Sequence, residues 1–194
     1  MNRRHLLTAT ALLVAIGCRP TTSVVVTRPL EEKSAQASAT PDIPLHFASW
    51  EETEKIIAAH RGKVVVLDVW STWCGPCLEQ FPSLVKLHQQ HSSQVVCISL
   101  NCNYIGAADE PPERAKPDID LFLRKQGATF ENIICTDPDE KLFLKFNAAS
   151  IPIVRVYDKQ GKLSKQFVND DGQYGEKGFT YAEHILPLVE RHLD

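Results

Sequence analysis

Two stretches of the chain are apolar on both faces and are therefore predicted to form buried strands. Residues 64–70 are hydrophobic except for Asp68, and residues 94–100 form a second largely apolar run with Cys97 near its centre. A strand that is covered on both sides carries a continuous apolar run rather than an alternating one. We therefore expect a sheet whose central strands lie between two layers of helices.

Helical patterns precede, separate and follow these strands. Ser49 and Glu52 form a capping box, which predicts a helix to about His60. Further helices are expected over residues 77–91, over 117–126 with Gly127 as the stop, from Asp137 onwards, and over 180–193 with a kink or break at Pro187.

The remaining connections complete the predicted fold. Residues 101–116 are rich in proline near their end and predict a loop, whereas 153–157 and 162–168 flank a polar turn and predict an antiparallel hairpin. Alternating elements followed by a hairpin indicate an α/β protein with a central mixed sheet and helices on both faces.

The N-terminal segment resembles an export signal rather than part of a fold. Arg3 and Arg4 precede about twelve mostly apolar residues, fewer than the roughly 20 that a membrane-spanning helix needs. Residues 1–17 are therefore predicted to be a signal peptide. Cys18 follows Ala15-Ile16-Gly17, which resembles a lipobox and predicts that Cys18 is lipidated. Ala15 stands where a larger aliphatic residue is usual, so ordinary signal cleavage nearby and a plain cysteine inside the signal are the alternatives.

The segment after Cys18 is polar and lacks apolar periodicity, so residues 18–44 are predicted to be a flexible tether. Residues 45–194 are predicted to form one domain, and the hydrophobic content of the whole chain, 43%, suits an ordinary core. Nucleic-acid-binding proteins usually carry a basic patch or stripe. This chain has a net charge of −3 and no Lys/Arg-rich run, so nucleic-acid binding is not expected.

The chemistry that the sequence predicts lies in Trp73-Cys74-Gly75-Pro76-Cys77, between a strand and a helix. At an exposed helix N-terminus, the partial positive charge would favour the thiolate of Cys74 and lower its pKa. Cys77, one turn further in, would be shielded and placed to resolve a mixed disulfide. Gly75 permits the tight turn, and Pro76 suits the first helical turn.

A C-x-x-C pair is also half of a zinc site, so a metal centre is an alternative interpretation. Further ligands would have to come from Cys97, Cys102, Cys135, His88 or His91, which show neither a second C-x-x-C nor a clear ligand pair. The two histidines are expected to be solvated on a helix surface. We expect no metal and no other cofactor.

The run from Asp68 to Cys77 resembles the active-site strand and turn of thioredoxin. Glu79 and Pro82 resemble the continuation seen in the exported thioredoxin-like family, the TlpA/ResA-type thiol-disulfide oxidoreductases, and Ile151-Pro152 resembles the cis-proline of that family. The resemblance covers residues from about 45 to the C-terminus. It implies a three-layer thioredoxin-like fold and protein-disulfide oxidoreductase activity.

The resemblance also implies roles for individual residues. Cys74 would be the nucleophile, Cys77 the resolving thiol, and Asp68 a buried carboxyl of raised pKa that accepts the Cys77 proton. Trp73, Gly75, Pro76, Ile151 and Pro152 would form the substrate face, with the backbone of Ile151 open to pair with an extended client segment. Without the resemblance, Asp68 could also be an acid that faces water at a strand end.

The other cysteines allow several interpretations. Cys97 is expected to be a small core residue. Cys102 and Cys135 fall toward the same end of the sheet in such a fold, so a second disulfide between them is one hypothesis and two unpaired, partly buried thiols the other.

The predicted activity is dithiol-disulfide exchange with client proteins outside the cytoplasm, in the periplasm or cell envelope. Gly75-Pro76 favours a reductase, with electrons resupplied by a membrane redox protein. The alternatives are a thioredoxin-fold adaptor, whose dithiol would be incidental, and a peroxide-reducing thiol enzyme. The latter is disfavoured because Ser71-Thr72-Trp73-Cys74 lacks the proline that usually precedes a peroxidatic cysteine.

Overall fold

The computed structural model describes residues 42–170 and 172–194, so the predicted signal peptide, Cys18 and nearly all of the predicted tether lie outside the described residues. Six strands form one sheet in the order β1-β4-β3-β2-β5-β6. The first four in that order are mutually parallel, and β5 runs antiparallel to both β2 and β6. The strands are β1 (Leu45–Ala48), β2 (Val64–Trp70), β3 (Val95–Asn101), β4 (Glu131–Cys135), β5 (Ile153–Tyr157) and β6 (Leu163–Phe167).

In the described part of the chain, five α-helices cover the two faces of the sheet: α1 (Trp50–Ala59), α2 (Gly75–His91), α3 (Lys116–Gln126), α4 (Asp139–Phe146) and α5 (Leu186–Leu193). One hydrophobic cluster joins alternate residues of β2 to α2, α3 and α5. A second cluster joins the intervening residues to α1 and α4. The predicted three-layer, thioredoxin-like α/β architecture is confirmed.

The strand that carries Asp68 is central, as predicted. All seven residues of β2 are buried, and the strand pairs with β3 on one side and β5 on the other. Such a strand satisfies its backbone groups on both edges and packs side chains on both faces. The end of β2 is consequently a rigid support for the turn that follows it.

Two strands were not predicted. Strand β1 has only four residues. Strand β4, Glu131–Cys135, follows shortly after Gly127, and the helix-stop signal of that glycine was the stronger pattern in this segment. β4 inserts between β1 and β3 and pairs with both. The segment from α3 to β4 therefore widens the sheet, a long-range pairing that no local pattern in the sequence reveals.

Most helix ends match their sequence signals, with one correction. The capping box of Ser49 and Glu52 is formed, and Gly127 ends α3 in the left-handed conformation. However, the helix predicted from Asp137 begins at Asp139. The Asp137 carboxylate instead accepts hydrogen bonds from the Trp50 backbone N–H at 2.7 Å and from Lys141 Nζ at 2.6 Å, so it caps α1.

The break expected near Pro187 is present as a change of helix type. A π-helical turn over Tyr181–Ile185 leads into α5, and the Thr180 hydroxyl caps it by accepting the Glu183 N–H at 3.2 Å. Within the described residues, none of the helices combines the length and the apolar character needed to cross a membrane.

Candidate active site

The dithiol lies where β2 gives way to α2. Cys74 is the N-cap residue of α2, and Pro76 occupies its first turn. Cys74 and Cys77 form a disulfide with a Cα–Cα distance of 5.3 Å, and the backbone N–H of Cys77 donates to Cys74 Sγ at 3.3 Å. The structure therefore brings the two predicted redox cysteines together in their oxidised form.

The sulfur atoms are more enclosed than the sequence predicted. Cys74 was expected to be exposed, but its exposed fraction is 5%, against 2% for Cys77. Instead, its neighbours Gly75 and Pro76 are exposed, and Trp73 has an exposed fraction of 59%. The disulfide packs into the hydrophobic core, so a client must reach it across a surface formed by these neighbours.

Asp68 is the only carboxylate-bearing or basic side chain that is buried among the described residues, with an exposed fraction of 3%. Burial raises its pKa from the ordinary value of 3.8 to about 7, and the hydrogen bond from Tyr181 Oη to Asp68 Oδ2, at 2.6 Å, opposes that rise. The alternative of an acid facing water is therefore wrong, and Asp68 is a buried carboxyl that titrates near neutral pH.

Strand geometry places Asp68 on the dithiol side of the sheet. Side chains at alternate positions of a strand share a face. Val66 and Trp70, two residues either side of Asp68, belong to the same core cluster as Cys74 and Cys77. The Asp68 carboxyl and the disulfide therefore lie on the same face of the sheet, in one core region.

Ile151-Pro152 is a cis peptide bond, as the resemblance implied. Pro152 is buried and Ile151 is half-buried. The residue that follows, Ile153, is the register partner of Val69 near the end of β2. The Pro152 segment therefore adjoins the end of the strand that leads into the dithiol.

A polar network holds the turn before Cys74, and it was not predicted from the sequence. Asn103 Oδ1 accepts the backbone N–H of Thr72 at 3.0 Å, and its Nδ2 donates to Thr72 Oγ1 at 2.7 Å. Asn101 Nδ2 also donates to Asn103 Oδ1, at 3.0 Å. These bonds join the turn to the end of β3, and the only sequence signal was two asparagines at the end of a strand.

A groove of about 430 Å³ opens beside Trp73. Its wall includes Ile105, which has an exposed fraction of 58%, and an ion pair between Arg114 and Glu110 at 3.6 Å. The remaining lining residues are Asn103, Tyr104, Pro111, Pro112, Ala115 and Asp118. The loop predicted over 101–116 therefore forms a surface next to the dithiol, with a single 3₁₀ turn at Pro112–Ala115.

The hypothesis of a Cys102–Cys135 disulfide is wrong for this structure. Both residues are free thiols, fully buried in the second core cluster. They follow the register partners Asn101 and Ile134 at the ends of β3 and β4, and the Cys102 thiol donates to the Trp70 carbonyl at 3.4 Å. Burial raises the pKa of Cys135 to about 12 and that of Cys102 as well, so neither thiol ionises readily.

Cys97 is a buried free thiol in the core of β3, as predicted, and burial raises its pKa. His88 differs from the prediction of a solvated surface residue. Its ring stands edge-on to Phe130 at a centroid distance of 5.3 Å, and partial burial lowers its pKa. Among the described residues, no three His, Cys, Asp or Glu side chains are grouped as a metal site would require.

Known proteins resemble this chain in sequence over most of its length. The family model described as Redoxin matches residues 35–181. The chain is 30% identical over 137 residues to the thiol-disulfide oxidoreductase ResA of Geobacillus thermodenitrificans, covering 69% of this chain and 71% of that protein. It is 29% identical to ResA of Geobacillus kaustophilus, covering 94% of this chain and 88% of that protein.

Solved structures resemble the fold. A DsbE-type thiol:disulfide interchange protein of Chlorobium tepidum superposes with a TM-score of 0.54 at 23% identity, over 71% of this chain and 85% of that one. A thiol-disulfide isomerase of Corynebacterium glutamicum gives a TM-score of 0.54 at 19% identity, over 80% of this chain and 97% of that one.

Proposed function

Because the chain belongs to the Redoxin family, among the thiol-disulfide oxidoreductases of the ResA type, we propose that it reduces disulfides of client proteins outside the cytoplasm. The observation that carries the proposal is the Cys74–Cys77 disulfide at the N-terminus of α2, on the same side of the sheet as a buried acid. An isolated dithiol could be structural. A dithiol with a carboxyl group that titrates near pH 7 has the parts that proton-coupled exchange requires.

The reaction begins from the reduced enzyme. The thiolate of Cys74 attacks one sulfur of a client disulfide, the client S–S bond breaks, and one client cysteine leaves as a thiolate. The helix N-terminus stabilises the attacking thiolate, and the Cys77 N–H already points to Cys74 Sγ. The product of this step is a mixed disulfide between Cys74 and the client.

Resolution of the mixed disulfide requires a second thiolate. Cys77 gives its proton to the Asp68 carboxylate and attacks Cys74 Sγ, which re-forms the Cys74–Cys77 bond and releases the second client cysteine as a thiolate. Two electrons have then passed from the enzyme dithiol to the client. Asp68 suits this task because its pKa of about 7 lets it both accept and release a proton near neutral pH.

The groove beside Trp73 supports a surface for the client chain. Trp73 and Ile105 are large apolar side chains that are exposed to solvent, and both line this groove next to the dithiol. Such exposure is typical of an interaction site rather than of an inert surface. We propose that residues of the client near its disulfide lie in this groove, while the backbone of Ile151 pairs with an extended client segment.

The direction of electron flow is tested by the reduction potential of the Cys74/Cys77 couple, measured by equilibration with dithiothreitol redox buffers. Gly75-Pro76 between the cysteines favours a potential near that of thioredoxin, about −270 mV. A value near about −120 mV, as for a strong oxidant, would contradict a reductase. The full chain serves for this measurement, with Cys18→Ser to remove the unrelated thiol.

We further propose that the protein is exported and held at a membrane surface by lipidation of Cys18. The support is the basic and apolar N-terminal segment and the small residues before Cys18. A membrane redox protein would then resupply electrons. Metabolic labelling with a fatty acid should mark the wild type but not Cys18→Ser, and an unlabelled wild-type protein in the soluble fraction would contradict the anchor.

A further inference from the structure

Tyr181 bridges the dithiol helix and the buried acid. Its hydroxyl donates to Asp68 Oδ2 on β2 at 2.6 Å, and its backbone N–H donates to Gln80 Oε1 on α2 at 3.4 Å. Gln80 follows Cys77 by three residues on the same helix. One residue therefore touches both the strand that carries the acid and the helix that carries the resolving thiol.

The backbone around Tyr181 is arranged in an unusual way. Tyr181 begins a π-helical turn, in which the Ile185 N–H bonds to the Thr180 carbonyl five residues earlier at 3.4 Å. Single π-turns are rare in proteins, and those that occur are often found at functional sites. The Thr180 N–H donates to His184 Nδ1 at 3.0 Å, which adds a further hold on the start of this turn.

Within the described part of the chain, no charged side chain shifts the pKa of Asp68. The titratable side chains in the core cluster on this face of the sheet are Tyr181 from the π-turn, Cys97 from β3, and Cys74 and Cys77 at the start of α2. Strand β5 contributes aliphatic residues to the same cluster. Among the described residues, the hydrogen bond from Tyr181 is the interaction that favours the charged form of this carboxyl, and burial opposes it.

We infer that Tyr181 is a positioning residue for the exchange reaction: its hydroxyl fixes the orientation of the Asp68 carboxyl and sets that group's readiness to accept the Cys77 proton. The inference rests on the proposed role of Asp68. A hydroxyl that donates to a carboxylate stabilises the charged form, so Tyr181 keeps Asp68 available as a base at a pH where burial alone would leave it protonated.

The test measures the pH dependence of the resolving step alone. The fully reduced full chain is mixed with a disulfide-containing peptide, acid-quenched at intervals, and analysed by mass spectrometry for the decay of the Cys74–peptide mixed disulfide. In the wild type we expect the rate to rise through a midpoint near pH 7. In Tyr181→Phe the midpoint should move upward by about one to two pH units.

Tyr174→Phe is the matched control. The Tyr174 hydroxyl is buried without a hydrogen-bond partner in the described chain, and its ring packs against Phe167 and Phe179 in the same core region. This variant also removes one buried phenol oxygen but leaves Asp68 untouched. Its midpoint should match that of the wild type.

Asp68→Asn separates the inference from the proposal beneath it. If the midpoint near pH 7 is lost in Asp68→Asn but Tyr181→Phe keeps the wild-type midpoint, the role of Tyr181 is overturned and that of Asp68 stands. If Asp68→Asn retains the wild-type profile, the proposed role of Asp68 fails, and the inference fails with it.

Should Tyr181→Phe not fold, 3,5-difluorotyrosine at position 181 gives a test of opposite sign. A more acidic phenol is a stronger donor, so the midpoint should move below that of the wild type. An unchanged midpoint in that protein would overturn the inference.

Discussion

The backbone N–H of Cys77 donates to Cys74 Sγ across the first turn of α2, at 3.3 Å. In the reduced protein we expect the same N–H to face Cys74 Sγ, where it would stabilise a thiolate at Cys74 but not at Cys77. The helix N-terminus adds to this asymmetry. The two cysteines of one disulfide therefore differ in reactivity for a reason that lies in the backbone.

We expect Cys74 of the reduced protein to be alkylated at least about tenfold faster than Cys77 at pH 7, because the thiolate is the nucleophile. The measurement is limited iodoacetamide labelling followed by peptide mass spectrometry. Equal labelling of the two cysteines would mean that the helix terminus does not select the attacking thiol.

Asp68 should make the wild-type protein less stable as the pH rises. Between pH 3.8 and about 7, the native protein retains a proton that the unfolded chain has lost, so the free energy of unfolding falls across this window and then levels. The raised pKa predicts a total decrease of about 4 kcal/mol in the free energy of unfolding, which is complete above pH 7. Asp68→Asn has no such group and should lack this decline.

Urea unfolding of the oxidised wild type and of Asp68→Asn, from pH 4 to pH 8, measures the difference. The stability of the variant relative to the wild type should increase by about 4 kcal/mol over that range. Other titrating groups are common to both proteins and cancel. A difference that is constant with pH would show that Asp68 is not protonated in the native state near neutrality.

The groove beside Trp73 should govern recognition of the client. Ile105→Ser removes an exposed apolar side chain from the groove and should raise the KM for a protein disulfide several-fold while kcat changes little. Leu144→Ser is the control, since Leu144 has an exposed fraction of 76% and lies on α4 among a different set of residues. Equal effects of the two substitutions would exclude a specific role for the groove.

The three core cysteines should be inert in the folded protein. Cys97, Cys102 and Cys135 are buried, and burial raises the pKa of each thiol. The oxidised Cys18→Ser protein should react with Ellman's reagent at none of these sites until it is denatured, when three thiols should appear. Fewer than three would indicate a second disulfide, and rapid reaction before denaturation would indicate access to the core.

The sequence predicted those parts of the site that depend on local patterns. The dithiol, its helix and the strand with Asp68 follow from apolar periodicity and turn chemistry within a few residues of Cys74. The cis bond at Pro152 followed from the resemblance. What the sequence did not reveal depends on distant residues: Tyr181 lies 113 positions from Asp68, and Asn103 lies 31 from Thr72.

The missed strands and the displaced helix start have a similar cause. Strand β4 is specified by its pairing with β1 and β3. Asp137 lies before the start of α4, and its side chain caps α1 instead. A capping residue is recognised in a sequence by its local spacing, but a side chain can also reach the terminus of another helix. Tertiary contacts of this kind override local preference.

Reduction of insulin disulfides by the full chain, with dithiothreitol as the electron source, tests the central claim most directly. The wild type should catalyse turnover, Cys74→Ser should be inactive, and Cys77→Ser should accumulate one mixed disulfide with insulin at Cys74. That pattern would establish Cys74 as the attacking thiol and Cys77 as the resolving thiol. Equal turnover by the wild type and Cys74→Ser would contradict the account.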